Sequence, residues 1–150
     1  MKKKVFVLLH NVRSLFNIGS VFRTADGAGV SKIYLTGYTG CPPRPDISKT
    51  ALGADEFVPW EYHKDPVALI KRLRKEGIQI VALERTKKST DILKFKHKYP
   101  VCMILGNEIE GVTKELLKLS DKVVEIPMRG KKESLNVSVA FGVAVYSLIG

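Results

Sequence analysis

Short runs of apolar residues alternate with helical patterns along the whole chain, and this alternation constrains the fold more than any other feature. The first run, KVFVLL at 4–9, is apolar from its second residue onward, as expected of a strand buried on both faces of a sheet. Five further runs have strand character: 32–37, 56–62, 78–84, 100–108 and 122–128. Strands that alternate with helices form parallel sheets, so we predict an α/β fold with a Rossmann-like, mostly parallel sheet flanked by helices.

Helical patterns fill most of the segments between these runs. The clearest pattern, at 65–77, is amphipathic and predicts a helix with Asp65 as its N-cap, Pro66 as its first residue and Gly77 at its end. Four other helices are predicted: 17–29, 47–54, 113–120 and 134–149. In the run 56–62, Pro59 indicates a strand at the edge of the sheet.

The predicted last helix is apolar around nearly its whole circumference. We expect Ser134 to be its N-cap, with the polar Asn136 in its first turn. A helix of this kind needs cover on every side, and a second copy of the chain related by a two-fold axis is an economical cover. We therefore expect a homodimer whose interface includes this helix and Phe141.

The charge of the chain narrows the possible partners. Its 150 residues fit a single domain, 1–150, and carry 25 Lys and Arg against 15 Asp and Glu, a net charge of +10. Such a balance favours a polyanionic partner such as nucleic acid. The basic segment 84–98 is predicted as a polar loop that can follow an RNA backbone.

Several function classes lose support because their signatures are missing from the sequence. No G-x-G-x-x-G follows the first strand, and neither the P-loop pattern nor G-x-S-x-G occurs. His10, His63 and His97 lack neighbouring ligands, and Cys41 and Cys102 form neither a metal motif nor a disulfide framework. No signal peptide and no membrane-spanning run is present in the sequence, so we expect a cytoplasmic protein without a metal.

Polar clusters follow three of the predicted strands, where the ligands of open α/β sheets bind. The first cluster holds Asn17 and Arg23 in NIGSVFRTA. The second is LGNEIEG at 105–111, and the third is IPMRGKKESLN at 126–136. None of the three is specific on its own.

Taken in order, the clusters resemble the three motifs of the SpoU/TrmH-like branch of the SPOUT superfamily, which are RNA ribose 2′-O-methyltransferases. Motif one is an Asn followed six positions later by an Arg, matched by Asn17 and Arg23. Motif two is a Gly-x-Glu turn with a later Gly, matched at 106–111. Motif three is an Ile-Pro-Met strand end followed by Ser-Leu-Asn-Val-Ser, matched at 126–128 and 134–138.

This resemblance implies a deep trefoil knot in the C-terminal third and a site for S-adenosyl-L-methionine, without a metal. The residues that it implies for the cofactor are Leu105, Gly106, Asn107, Glu108, Gly111, Ile126, Pro127, Met128, Ser134, Leu135, Asn136 and Ala140. The residues that it implies for catalysis are Arg23, Asn17, Glu108, Ser134 and Asn136. Gly106 and Gly111 would let the backbone approach the cofactor closely.

Arg23 is the residue that the resemblance marks as catalytic. Because a guanidinium is almost never deprotonated in proteins, we expect it to hold a phosphate and stabilise developing oxyanion charge rather than act as a base. Asn17, Ser134 and Asn136 are expected to orient the hydroxyl and Arg23. Glu108 is expected to hold Arg23 or a neighbour of it.

The resemblance also implies RNA, either tRNA or rRNA, as the partner, and a homodimer through the first and last helices. Few residues precede the first strand, whereas many relatives carry an N-terminal RNA-binding extension, so we expect a minimal domain that selects its own substrate. Two other functions stay open. One is an RNA base methyltransferase, with Asp26 or Glu108 as the carboxylate near the acceptor nitrogen, and the other is a non-catalytic RNA-binding module of the same fold.

Overall fold

A seven-stranded sheet forms the centre of the molecule in a computed structural model, which describes residues 3–150. The strands are β1 (Val5–His10), β2 (Lys32–Thr36), β3 (Trp60–His63), β4 (Gln79–Leu83), β5 (Thr90–Asp91), β6 (Val101–Leu105) and β7 (Lys122–Glu125). Their order in the sheet is β3-β2-β1-β6-β4-β7-β5, and each neighbouring pair is parallel. The predicted parallel α/β sheet is confirmed.

Helices cover both faces of this sheet. They are α1 (Leu15–Ala28), α2 (Pro45–Ala51), α3 (Ala54–Phe57), α4 (Pro66–Lys75), α5 (Lys114–Leu119) and α6 (Val137–Ile149). Buried residues of α1, α2, α3 and α6 form one core with the sheet, including Phe22 and Phe141. Residues of α4 and α5 form a second core on the opposite face, including Leu73 and Leu116.

Local capping explains where the clearest helix begins. The Asp65 side chain accepts hydrogen bonds from the backbone amides of Val67 at 2.9 Å and Ala68 at 3.3 Å, and Pro66 follows as the first residue of α4. Both features agree with the prediction, because an N-cap carboxylate satisfies amides that have no partner within the helix. β3 lies at the sheet edge directly after Pro59, which also agrees.

The start of the last helix differs from the prediction. The N-cap of α6 is Asn136, whose Oδ1 accepts hydrogen bonds from the amides of Ser138 at 2.9 Å and Val139 at 3.3 Å. The expected cap, Ser134, lies outside the helix. Serine and asparagine are comparable caps, so a segment that contains both does not identify the cap by residue type.

Two other elements were not predicted. Residues 54–57 form the short helix α3, which includes the first two residues of the strand predicted at 56–62. The polar segment after β4 contributes the two-residue strand β5, which pairs with β7. A strand of two residues has no measurable periodicity, so it forms only because it pairs with β7.

The last helix divides into a buried face and an exposed face. Phe141, Val145 and Leu148 lie in the core of the same chain, whereas Val139 and Tyr146 are 52% and 51% exposed. The expectation that Phe141 lies at a dimer interface is therefore wrong, because this side chain covers the chain's own sheet. Within residues 3–150, the model contains no helix that is long and apolar enough to cross a membrane.

Candidate active site

A cavity of about 590 Å³ lies beyond the carboxyl ends of β4, β6 and β7 and beside the start of α6. Its lining residues are Leu83, Glu84, Arg85, Leu105, Gly106, Asn107, Glu108, Ile109, Glu110, Gly111, Glu125, Ile126, Met128, Glu133, Ser134, Leu135, Asn136, Val137 and Ala140. The second and third polar clusters of the sequence thus line one cavity. This is the position where open α/β sheets bind ligands.

The turn after β6 is held by its own polar side chain. Oδ1 of Asn107 accepts hydrogen bonds from the amides of Ile109 at 2.8 Å and Glu110 at 2.9 Å. Gly111 has a φ of 72°, a left-handed conformation that a residue with a Cβ rarely adopts. The turn therefore folds back on β6 and presents its backbone to the cavity.

The backbone of the turn itself also requires a glycine at position 106. A Cβ at Gly106 would lie closer than 3.0 Å to the carbonyl group of Gly111 and to the amide nitrogen of Val112. The close neighbour is the backbone of the turn itself. Any side chain at this position would push apart the two ends of the turn that lines the cavity.

Glu84, which the sequence analysis missed, supports the same turn from β4. Its Oε1 accepts a hydrogen bond of 2.9 Å from the amide of Val112, and its carboxylate lies against the α-carbon of Gly111. A single glutamate after a strand carries no local signal for this role. Its position at a carboxyl end of the sheet was the one available indication.

Glu108 joins the turn to the beginning of α1. Its carboxylate accepts hydrogen bonds from the amides of Arg13 at 2.9 Å and Ser14 at 2.7 Å, and from Nδ2 of Asn17 at 3.2 Å. The negative charge faces the helix N-terminus, where the backbone dipoles favour it. Glu108 was expected to hold Arg23 or a neighbour of it, and the side chain that it holds is Asn17 on the same helix as Arg23.

These hydrogen bonds change the acidity of Glu108. Desolvation by partial burial raises the pKa of its carboxyl, but the bonds donated by the amides of Arg13 and Ser14, together with the other donors, outweigh that effect. The net result is a pKa below the ordinary value. The side chain is therefore a carboxylate that accepts hydrogen bonds, and its geometry is set by α1.

A second hydrogen bond extends the link to the third cluster. Nδ2 of Asn136 donates to Oδ1 of Asn17 over 3.3 Å. Glu108, Asn17 and Asn136, one from each polar cluster of the sequence, thus form a continuous chain of hydrogen bonds at the side of the cavity.

The structure places the predicted site residues in two groups. Every residue expected to contact the cofactor lines the cavity, except Pro127. Of those expected to act in catalysis, Glu108, Ser134 and Asn136 line it, and Asn17 contacts two of them. Arg23 is exposed on α1 and does not line the cavity of the chain to which it belongs.

The cavity wall combines apolar side chains with an excess of carboxylates. Leu83, Leu105, Ile126, Met128 and Leu135 provide apolar surface. The glutamates of the lining are Glu84, Glu108, Glu110, Glu125 and Glu133, with Arg85 as the cation. A ligand that suits this wall has an apolar part and a positively charged part. In the part of the chain that the model describes, no group of three or more His, Cys, Asp or Glu side chains could hold a metal ion.

Comparisons with known proteins show which family this chain belongs to. The model of the SpoU rRNA Methylase family matches residues 4–146. A tRNA (guanosine(18)-2′-O)-methyltransferase from Aquifex aeolicus is 32% identical over 97% of this chain and 68% of its own length. A 23S rRNA (guanosine-2′-O-)-methyltransferase from Vibrio parahaemolyticus is 30% identical over 97% of this chain and 58% of its own length.

A solved structure agrees with the sequence relatives. The crystal structure of an AdoMet-bound rRNA methyltransferase from Sinorhizobium meliloti matches 99% of this chain and 56% of that chain, with a TM-score of 0.92 and 30% identity. This chain therefore spans between about half and two thirds of the length of the relatives that it matches. The resemblance inferred from the three clusters is confirmed, and the chain belongs to the SpoU rRNA methylase family.

Proposed function

We propose that this protein transfers a methyl group from S-adenosyl-L-methionine to a ribose 2′-hydroxyl of tRNA or rRNA. The observation that carries the proposal is the meeting of all three family motifs at one cavity, through the hydrogen bonds that join Glu108, Asn17 and Asn136. The relatives named above are tRNA and rRNA 2′-O-methyltransferases, which supports the same activity. A cytoplasmic location belongs to this proposal, because its substrates are tRNA or rRNA.

The cavity fits the cofactor in size and chemistry. Its volume of about 590 Å³ lies within the range of small-molecule sites. Ile126, Met128 and Leu135 offer apolar walls for an adenine ring, and the turn after β6 offers backbone groups. The glutamates of the lining complement the sulfonium and ammonium charges of the cofactor.

When bound, the cofactor supplies an electrophilic methyl group, which a weak oxygen nucleophile can attack without a metal. The chain has to position the acceptor hydroxyl and exclude competing orientations, and positioning of this kind is a large part of catalysis. Asn136 and Asn17 hold each other at the side of the cavity, so their amides are fixed before substrate arrives. We assign them to orienting the hydroxyl, with Ser134 beside them on the cavity wall.

We assign Arg23 to the substrate rather than to the cofactor. Its guanidinium can hold a phosphate with two hydrogen bonds and stabilise negative charge on the acceptor oxygen. Since Arg23 is exposed and absent from the lining of its own cavity, we propose that it acts at the cavity of a second subunit.

A homodimer through α1 and α6 is part of the proposal. The two helices pack against each other within the chain. A Cβ atom placed on Gly27 of α1 would lie 3.2 Å from the Tyr146 hydroxyl of α6. A Cβ atom placed on Gly142 of α6 would lie 3.7 Å from Cγ2 of Thr24 on α1. The outer face of α6 exposes Val139, Val143 and Tyr146. An apolar helix face beside an exposed arginine fits an isologous contact between two copies.

We also propose the trefoil knot that the resemblance implies. β7 lies between β4 and β5 in the sheet, although β4 and β5 are consecutive in the chain. The helix before β7, α5, packs on one face of the sheet, and the helix after it, α6, packs on the other. The chain therefore passes from one face of the sheet to the other at β7. It does so between β4 and the segment 84–100, which follows β4 in the chain. This arrangement supports a path in which the later part of the chain is threaded through that segment.

Base methylation fits the site less well. That chemistry needs a carboxylate near the acceptor nitrogen. Asp26 does not line the cavity, and the carboxylate of Glu108 already accepts hydrogen bonds from the amides of Arg13 and Ser14 and from Nδ2 of Asn17.

Methylation of RNA from a strain that lacks the gene tests the proposal. Purified protein and labelled cofactor are incubated separately with tRNA and with rRNA, and the nucleosides are then separated and identified. We expect label in a 2′-O-methylated nucleoside. Label in a methylated base would support a base methyltransferase, and no transfer to either RNA would leave a binding module of the same fold.

A further inference from the structure

We propose that Tyr38 is a stacking platform for an unstacked RNA base beside the acceptor ribose. Tyr38 follows the carboxyl end of β2 and is 59% exposed. Its hydroxyl accepts a hydrogen bond of 2.8 Å from Nδ2 of Asn107, a residue of the cavity wall. The inference rests on the proposed function and adds to it the residue that receives the base.

The backbone under Tyr38 is held rigidly. Oδ1 of Asn11, a residue with a φ of 56°, accepts a hydrogen bond of 2.9 Å from the amide of Tyr38. The hydroxyl of Thr39 is buried and accepts a hydrogen bond of 3.1 Å from the amide of Val12. These bonds join the loop after β1 to the loop after β2. A ring held in this way loses little conformational entropy when a base stacks on it.

The hydrogen bond to Asn107 does not by itself account for the ring. Nδ2 of Asn107 also donates to the carbonyl of Asn11 over 3.0 Å, so this amide has a backbone acceptor without Tyr38. What Tyr38 adds at the edge of the cavity is an exposed aromatic face. Aromatic faces of this kind receive the unstacked bases that RNA-binding proteins recognise.

Two cations lie near the same loops. The amide of Arg13 is bound by Glu108, and Nη1 of Arg44 lies 3.9 Å from where a side chain on Gly40 would begin. Both arginines are exposed. Exposed guanidinium groups on these loops can contact phosphates of an RNA that is bound there.

Three variants separate the ring from the hydroxyl. Tyr38→Ala removes both, Tyr38→Phe keeps the ring, and Phe57→Ala removes an exposed aromatic ring on α3 as a control. Affinity for unfractionated tRNA and for rRNA, both from the strain that lacks the gene, is measured by filter binding with S-adenosylhomocysteine present. We expect Tyr38→Ala to weaken the affinity for the RNA that wild type methylates by roughly 5- to 150-fold, the usual effect of losing one stacked base.

The control variants, the cofactor affinity and the sedimentation show whether the ring itself binds the RNA. We expect Tyr38→Phe and Phe57→Ala to bind RNA as wild type does, and Tyr38→Ala to keep wild-type cofactor affinity and sedimentation. Wild-type RNA affinity in Tyr38→Ala would overturn the inference, as would equal weakening in Tyr38→Phe, which would point to the hydroxyl. A changed association state in Tyr38→Ala would also overturn it, by assigning the ring to a protein contact. Methyl transfer by the wild-type protein reports separately on the proposed function.

Discussion

Nδ2 of Asn136 donates to Oδ1 of Asn17 over 3.3 Å, and this hydrogen bond joins two residues that are 119 positions apart in the chain. Asn136 also caps α6 through its side-chain oxygen. One side chain therefore fixes the start of the last helix and ties it to the first helix.

The two tasks of Asn136 can be separated by substitution. Asn136→Ala loses both, and we expect it to lower the free energy of unfolding by about 1 kcal/mol and to reduce kcat. Asn136→Ser keeps a capping oxygen but loses the amide nitrogen that donates to Asn17. In denaturant unfolding, the free energy of unfolding of Asn136→Ser should be close to that of wild type. In methyl-transfer assays, its kcat should be reduced as much as that of Asn136→Ala. Wild-type kcat in Asn136→Ser would show that the link to Asn17 is dispensable.

The stability of the site should depend on pH through Glu108. Because its pKa is held below the ordinary value of 4.5, the carboxylate stabilises the folded state above that pH. This contribution is lost as the pH falls through the folded-state pKa. We expect Glu108→Gln to be less stable than wild type at pH 7, and the difference in Tm between the two proteins to shrink in acid. A constant difference in Tm from neutral pH into that range would contradict this prediction.

Gly106 and Gly130 form a matched pair of positions. A Cβ at Gly106 would meet the backbone of Gly111 and Val112, whereas a Cβ at Gly130 would have no neighbour within 4 Å. We expect Gly106→Ala to cost about 1–3 kcal/mol of stability and to abolish cofactor binding in calorimetry. Gly130→Ala should leave both unchanged. Tight cofactor binding by Gly106→Ala would mean that the turn can move without loss of the cavity.

The outer face of α6 is predicted to hold the dimer together. Val143→Glu places a charge on that face and should produce monomers in sedimentation equilibrium, with the fold intact by circular dichroism. Leu93→Glu, at an exposed loop position, is the control and should remain dimeric. Phe141→Glu does not test the interface, since Phe141 is fully buried and the variant should unfold. A dimeric Val143→Glu would place the interface elsewhere.

Arg23 is predicted to serve the cavity of the opposite subunit. Arg23→Ala should lower kcat by roughly 100- to 1000-fold, as the loss of one charge-stabilising donor does, with cofactor affinity within a few-fold of wild type. Ala140→Trp should fill the cavity and be inactive. Mixing the two inactive variants should restore activity, because a heterodimer combines an open cavity with an intact Arg23 from the other chain. If Arg23 acts within its own chain, the mixture stays inactive.

Much of the fold could be predicted because its signals are local. The apolar run that forms β1 and the cap of α4 at Asp65 each depend on neighbouring residues alone. β5 has two residues and depends on β7, more than thirty positions later in the chain, so no local pattern indicates it. The buried face of α6 was assigned wrongly because a helix that is apolar all round gives no sign of which side faces the sheet.

The candidate site was accessible from sequence only through its motifs. The turn at 105–111 and the segment 126–136 were identified by resemblance, and the structure brings both to one cavity. The supports of that cavity were missed. Glu84 acts through a single hydrogen bond to Val112, and the need for a glycine at 106 arises from backbone that returns only in three dimensions. Contacts of this type have no spacing that a sequence could reveal.

The position of β7 inside the sheet also bears on the order of events during synthesis. Translation delivers β4 and β5 first, yet the strand that lies between them is the last of the seven to emerge. Until then, the backbone of β5 lacks its ladder partner and β4 has an open edge. The nascent chain can complete β1, β2 and β3 as a unit, but the half of the sheet that carries the cavity closes only once β7 has been synthesised. The synthesis of β7 thus sets the time at which this half of the sheet can assemble.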